Sequence, residues 1–142
     1  MKQIKIKIYD NLPMCAIDIR KTVFVDEQGF IDDVDETDGV ASHIVMFDAE
    51  RAIATCRVFK KQEPDVYMMG RLAVLKEYRG QGLGSVVLSS AEEHARSLGG
   101  SYLCLHAQCQ AREFYTKCGY SAHGEIEYEQ NAPHIWMAKK LN

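Results

Sequence analysis

The sequence has no apolar run approaching the ~20 residues of a membrane-crossing helix, no C-x-x-C pair and no excess of basic residues. The first absence excludes a helical membrane anchor. The amino terminus alternates Lys and Ile over Lys2–Ile8 instead of running apolar, so no secretory leader is expected. Five cysteines (Cys15, Cys56, Cys104, Cys109 and Cys118) are an odd number without paired spacing. That excludes a disulfide framework and points to a reducing cytoplasm. Lys and Arg total 17 against 20 Asp and Glu, a net charge of −3, so the basic surface that a nucleic-acid backbone selects is missing. Cys104-x-His106-x-x-Cys109 has a zinc-like rhythm but no second ligand pair at finger spacing, so buried thiols and no metal are expected. Internal repeats, linkers and low-complexity tracts are also lacking. With 142 residues, 46% of them hydrophobic, the chain suits one domain (1–142) around one core.

What is present reads as alternating elements. Lys2–Tyr9 has strict period two, with Ile4, Ile6 and Ile8 on one face, as in a half-exposed edge strand guarded by lysines. Asn11 and Pro13 open a helix over roughly 13–25, with Ile17 and Phe24 inward. Residues 26–41 carry Asp26, Glu27, Asp32, Asp33, Asp35, Glu36 and Asp38, either a solvated loop or a rim that attracts a cation. Ser42–Asp48 and Arg51–Phe59 read as a hairpin, and Val66–Leu75 as a third strand. A helix over Gly84–Leu98 ends at Gly99-Gly100. Ser101–Ala107 is a short buried strand, and Gln110–Cys118 is a second short helix. Two final strands, Tyr120–Tyr128 and His134–Lys140, flank Asn131-Ala132-Pro133. This order predicts an α/β fold with a mixed sheet.

The most informative stretch is Arg79-Gly80-Gln81-Gly82-Leu83-Gly84-Ser85, between the third strand and a helix. Glycine turns tightly and lets backbone approach a ligand closely. The first N–H groups of the helix have no internal partner, the helix dipole adds positive charge, and Arg79 adds more. The loop is therefore a phosphate or diphosphate cradle. No Lys-Ser/Thr follows, which weakens a P-loop reading, the glycine rhythm and mid-chain position weaken a dinucleotide fingerprint, and a domain that binds another nucleotide's phosphates stays an alternative.

Arg79-x-x-Gly82-x-Gly84 resembles the acetyl-CoA signature of the GNAT N-acetyltransferases, [QR]-x-x-G-x-[GA]. Gln108-Cys109-Gln110-Ala111-Arg112-Glu113-Phe114-Tyr115-Thr116-Lys117-Cys118-Gly119-Tyr120 resembles their N-x-x-A-x-x-F-Y-x-x-x-G-F segment, with Gln108 at the Asn position and Tyr120 at the final Phe. Arg20–Gln28, Asp35–His43, and Glu129 with His134 look like the small branch containing ElaA and YjcF. The resemblance implies a mostly antiparallel twisted sheet with helices on both faces. It implies acetyl transfer from acetyl-CoA, as co-substrate, to a primary amine of a small molecule or peptide. A non-catalytic acyl-CoA sensor on the same fold is the alternative. A homodimer through edge or C-terminal strands is possible.

By the same resemblance, the amides of Arg79, Gly80, Gln81, Gly82, Leu83, Gly84 and Ser85 hold the diphosphate. Leu72, Ala73 and Val74 pair with the pantetheine arm, Gln108 contacts that arm, and Tyr115 lies beside it as general acid for the thiolate. The acceptor must lose a proton, and Glu27, Glu36, Asp38, His43, Glu129 and His134 are candidates to take it. Glu129 and His134 rank first because they flank one turn. Strand alternation puts His134 and Trp136 on one face, Ile135 and Met137 on the other.

Overall fold

The computed structural model describes residues 2–31 and 34–142. Seven strands form one sheet: β1 (Ile4–Tyr9), β2 (Ser42–Asp48), β3 (Arg51–Lys60), β4 (Val66–Val74), β5 (Tyr102–Gln108), β6 (Ser121–Glu129) and β7 (Ala132–Lys140). Their spatial order is β1-β2-β3-β4-β5-β7-β6. All neighbours are antiparallel except β4 and β5. The helix α2 (Leu83–Ser97) makes the crossover between those two, as parallel strands require.

Two apolar clusters lie under the helices. Val87, Leu88, Ala91 and Ala95 of α2 pack with Met46, Ile53, Leu103, Leu105 and Met137. Ile19, Val23 and Phe24 pack separately with Ala73 and Leu75. Helices therefore cover both faces of the sheet, and each fully buried aliphatic side chain contributes roughly 1.5–3 kcal/mol.

The first helix departs from expectation. α1 (Met14–Arg20) continues into a wider π-type turn over Lys21–Glu27. The wider turn shifts the inward face to Ala16, Ile19, Arg20, Val23 and Phe24, and leaves Ile17 only partly buried. The second short helix also splits, into a 3-10 turn Cys109–Ala111 and α3 (Arg112–Lys117). The edge position of β1 and the hairpin β2–β3 match the sequence reading.

The acidic segment adopts a role that composition does not show. A 3-10 turn Glu36–Gly39 carries Asp38 inward, where both its oxygens accept from Arg20 (2.8 and 3.0 Å) and one from Arg57 (3.0 Å). Asp35 accepts from Arg57 (2.6 and 3.1 Å) and Arg71 (3.3 Å). His43 donates from Nε2 to the Asp38 carbonyl (3.0 Å). Burial works to raise the Asp38 carboxyl, but the bonds from Arg20, the Asp35 N–H and Arg57 outweigh it and hold it far below its ordinary value. The Arg57 bond likewise holds Asp35 low. Asp32 and Asp33 lie outside the described residues.

Candidate active site

β4 and β5 pair only over Val66–Met68 with Tyr102–Cys104. Beyond that they part, because β4 carries one extra residue against β3: Thr55 pairs with Ala73, but Arg57 pairs with Gly70. The bulge holds Arg71 at φ 53°, a left-handed conformation rare for a residue with a side chain. The result is a notch between two strand edges with unpaired main-chain groups. A cavity of about 490 Å³ lies at the notch. Leu72 and Met69 line it from β4, Leu105 and Ala107 from β5, Tyr115 from α3, and Glu129, His134 and Trp136 from β6 and β7.

The glycine loop follows β4. A 3-10 turn Lys76–Tyr78 leads to Gly80 (φ 76°) and Gly82 (φ 77°, ψ 8°), the cap residue of α2. No side chain caps this helix start, and among the described residues no acceptor meets the amides of Gly80, Gln81 or Gly82. Ser85 Oγ donates to the Gly82 carbonyl (2.8 Å) and steadies the turn. Gly84 sits against Phe114: a Cβ there would stand 3.4 Å from its ring. That contact ties the loop to α3, whose Tyr115 lines the cavity.

Arg79 is not an isolated charge. Its Nε donates to the Val74 carbonyl (2.9 Å), and its two terminal nitrogens clasp Glu27 (2.9 Å each). Glu27 offsets the cation and is itself occupied. Glu36 lies on the turn that carries Asp38, and Asp38 and His43 are engaged in the arginine cluster. Of the three β4 positions, Leu72 borders the cavity, Ala73 is buried in the α1 cluster, and Val74 offers its carbonyl to Arg79. Gln108 gives its amide to Gln28 (2.9 Å) across the end of the cavity.

Tyr115 is buried between Phe114 and Tyr120, both edge-on to it. Burial, with smaller contributions from Cys56 and Cys118, raises its phenol well above the ordinary value. It is therefore a protonated hydroxyl at neutral pH. Beside it, Tyr120 donates to Glu92 (2.7 Å), which also receives Lys139 (3.2 Å), a buried polar link between α2 and β7.

Glu129 and His134 come together as expected, with Oε2 and Nε2 3.8 Å apart. His134 donates from Nδ1 to the Ala132 carbonyl (2.8 Å), which leaves the lone pair on Nε2. The sequence reading missed the third member. His106 donates from Nδ1 to Glu129, and its ring stacks on Trp136 (4.3 Å, 16°) and lies 5.0 Å from His134. The signal was available: Cys104, His106 and Gln108 alternate with the buried Leu103, Leu105 and Ala107, and β5 sets His106 opposite Trp136. Among the described residues, no group of three or more His, Cys, Asp or Glu is arranged to hold a metal. No helix among them is long and apolar enough to cross a membrane.

Residues 7–120 match the model of the acetyltransferase (GNAT) family. YjcF of Bacillus subtilis, an uncharacterized N-acetyltransferase, is 35% identical over 128 residues, covering 87% of this chain and 89% of its own. The crystal structure of Escherichia coli ElaA superposes with a TM-score of 0.86 at 26% identity, over 96% of this chain and 99% of that one. An acyl-CoA N-acyltransferase from Pseudomonas aeruginosa shares the fold, with a TM-score of 0.84 at 24% identity over 96% and 99% of the two chains. Family match, relatives and sheet topology agree, and the chain belongs to the GNAT acetyltransferase family.

Proposed function

We propose that this protein is an acetyl-CoA-dependent N-acetyltransferase that moves an acetyl group directly to a primary amine of a small molecule or peptide. The observation that carries this is the run of unpartnered amides at Gly80–Gly82, capping α2 and joined through Gly84 and Phe114 to the cavity in the β4–β5 notch. Those amides and the dipole of α2 suit a diphosphate. The parted edges suit an extended amide-bearing arm, which Leu72, Ala73 and Val74 would meet on one side and Gln108 on the other. Bound there, acetyl-CoA supplies an activated acyl carbon.

The protein's own part is to bind, orient and move protons. An alkylammonium with pKa near ~10.4 must lose a proton before it can attack, an expense of about 4–5 kcal/mol at pH 7. That falls to the cluster containing Glu129 and His134 at the acceptor end. Tyr115, buried and protonated, gives its hydroxyl proton to the departing thiolate. The free thiols fit a reducing compartment, and we place the protein in the cytoplasm.

The test is thiol release from acetyl-CoA over a panel of amines, with mass spectrometry of isotopically labelled acetyl groups. Transfer to an amine is the expected result. Tight CoA binding with no transfer to any amine favours the acyl-CoA sensor, and no CoA binding at saturating concentration overturns both readings.

A further inference from the structure

Three groups crowd the acceptor end of the cavity, and the geometry separates their roles. His134 is tied to the main chain through Nδ1 and lies 3.8 Å from Glu129. Glu129 instead bonds directly to His106 Nδ1. The His106 side chain is nine-tenths buried, lines the cavity, and is fixed in plane by the Trp136 ring stacked on it. Its other nitrogen, Nε2, is buried without a hydrogen-bond partner. Glu127 Oε1 stands 3.7 Å from that nitrogen, too far to bond, and adds a second negative charge beside it.

We propose that His106 takes the proton from the acceptor ammonium, with Glu129 as its positioning residue and Glu127 drawing the cation in. This rests on the reading of the cavity as an acetyl-transfer site, and it deepens that reading. A carboxylate on Nδ1–H fixes the tautomer, leaves the lone pair on Nε2 and stabilises the imidazolium once formed. Among the described residues no donor competes for that lone pair.

The step balances. His106 Nε2 takes one proton from R–NH3+, which leaves a neutral amine with its lone pair. The C–N bond forms, the C–S bond breaks, and the thiolate takes a proton from the Tyr115 hydroxyl. The nitrogen sheds its second proton on becoming an amide, that proton restores the Tyr115 hydroxyl, and the proton on His106 passes to solvent.

The charged groups facing His106 are Glu127 and Glu129 from β6 and His134 from β7, with Lys61 over the far Trp136 ring (5.2 Å). Across the cavity, Arg57 and Arg71 are paired with Asp35. The nearest charges are thus two carboxylates, which favours a cationic acceptor over an anionic one.

Two measurements on the full chain test this. Nitrogen-15 NMR of labelled histidines needs no acceptor. It is expected to show that the neutral form of His106 carries its proton on Nδ1, and Glu129→Gln is expected to disturb that signal more than the His134 signal. A proton on Nε2, or a His106 signal indifferent to Glu129→Gln, overturns the proposal. With the best amine from the panel, His106→Gln is expected to lose about 10²–10³-fold in kcat at pH 7. CoA affinity is expected to stay unchanged, and the acid limb of the kcat/KM profile to vanish, while His134→Gln keeps that limb. Activity within threefold of wild type, or a surviving acid limb in His106→Gln, overturns it. Failure of CoA binding or of all amines would strike the acetyl-transfer reading instead, and the NMR arm still decides His106.

Discussion

Replacing Gly82 by alanine should separate a conformational requirement from a packing one. Gly82 has φ 77° and ψ 8°, and a Cβ built there meets nothing within 4 Å. The whole penalty is therefore backbone, about 1–2 kcal/mol for a left-handed L-residue. The variant can pay this in two ways. It can keep the loop and lose stability, or it can relax the loop when empty and lose CoA affinity. The sum of the two losses, measured in the CoA-bound protein, is at least about 1–2 kcal/mol, because a Cβ facing the diphosphate only adds to the backbone penalty. If all of it appears as stability, the unfolding entropy of about 2.1 cal/mol/K per residue over 142 residues gives a Tm drop of about 3–7 °C. If all of it appears in binding, Kd rises roughly 5- to 30-fold. Calorimetric unfolding and CoA titration on one preparation measure both. Gly84→Ala is the control. No positive φ is recorded there and its Cβ meets Phe114 at 3.4 Å, so its summed loss should stay below about 0.5 kcal/mol. A Gly82→Ala protein whose summed loss equals that of Gly84→Ala would refute the reasoning.

Other expectations can be checked together. Asp38→Ala removes the buried carboxylate shared by Arg20 and Arg57, both nearly fully buried, and should cost about 3–5 kcal/mol in chemical denaturation. Asp38 and Asp35 have folded-state pKa values depressed below their unfolded values, so their contribution is complete above pH ~4 and is lost as pH falls toward the folded values. Stability against pH should therefore fall on the acid side, and Asp38→Asn should flatten that fall. Glu27→Gln releases Arg79 from a half-exposed pair worth about 0–1 kcal/mol. Stability should change little, while CoA binding should tighten a few-fold, more at low salt than at high, by titration calorimetry. Tyr115→Phe should lower turnover with CoA affinity retained, and unchanged turnover across the pH range would remove Tyr115 from the mechanism. Cys56, its thiol pushed up to about 12 by burial, should resist alkylation at pH 8 in the folded protein while Cys15 and Cys109 react.

Local chemistry was legible from the chain itself. Period-two alternation located β1, an apolar run located β2, and glycine spacing marked the loop and the end of α2. The two motifs named the family and pointed to Tyr115 and the Gly80–Gly84 amides as candidates. Each of these depends on residues close in sequence, where backbone geometry and side-chain periodicity suffice. The acidic stretch misled because composition reports charge but not direction. Only folding buries Asp38 against Arg20 and Arg57 and pairs Asp35 with Arg57 and Arg71, partners up to 36 residues away in the chain. The pairing of Arg79 with Glu27, 52 residues apart, was invisible for the same reason. Alternation along β5 exposes His106, but its meaning comes from antiparallel pairing with β7 and a glutamate 23 residues on. Sequence determined which groups exist and which face of its own strand each occupies. Tertiary structure alone decided which groups meet, because strand register, the β4 bulge and the parting of β4 from β5 bring together residues that no local rule connects.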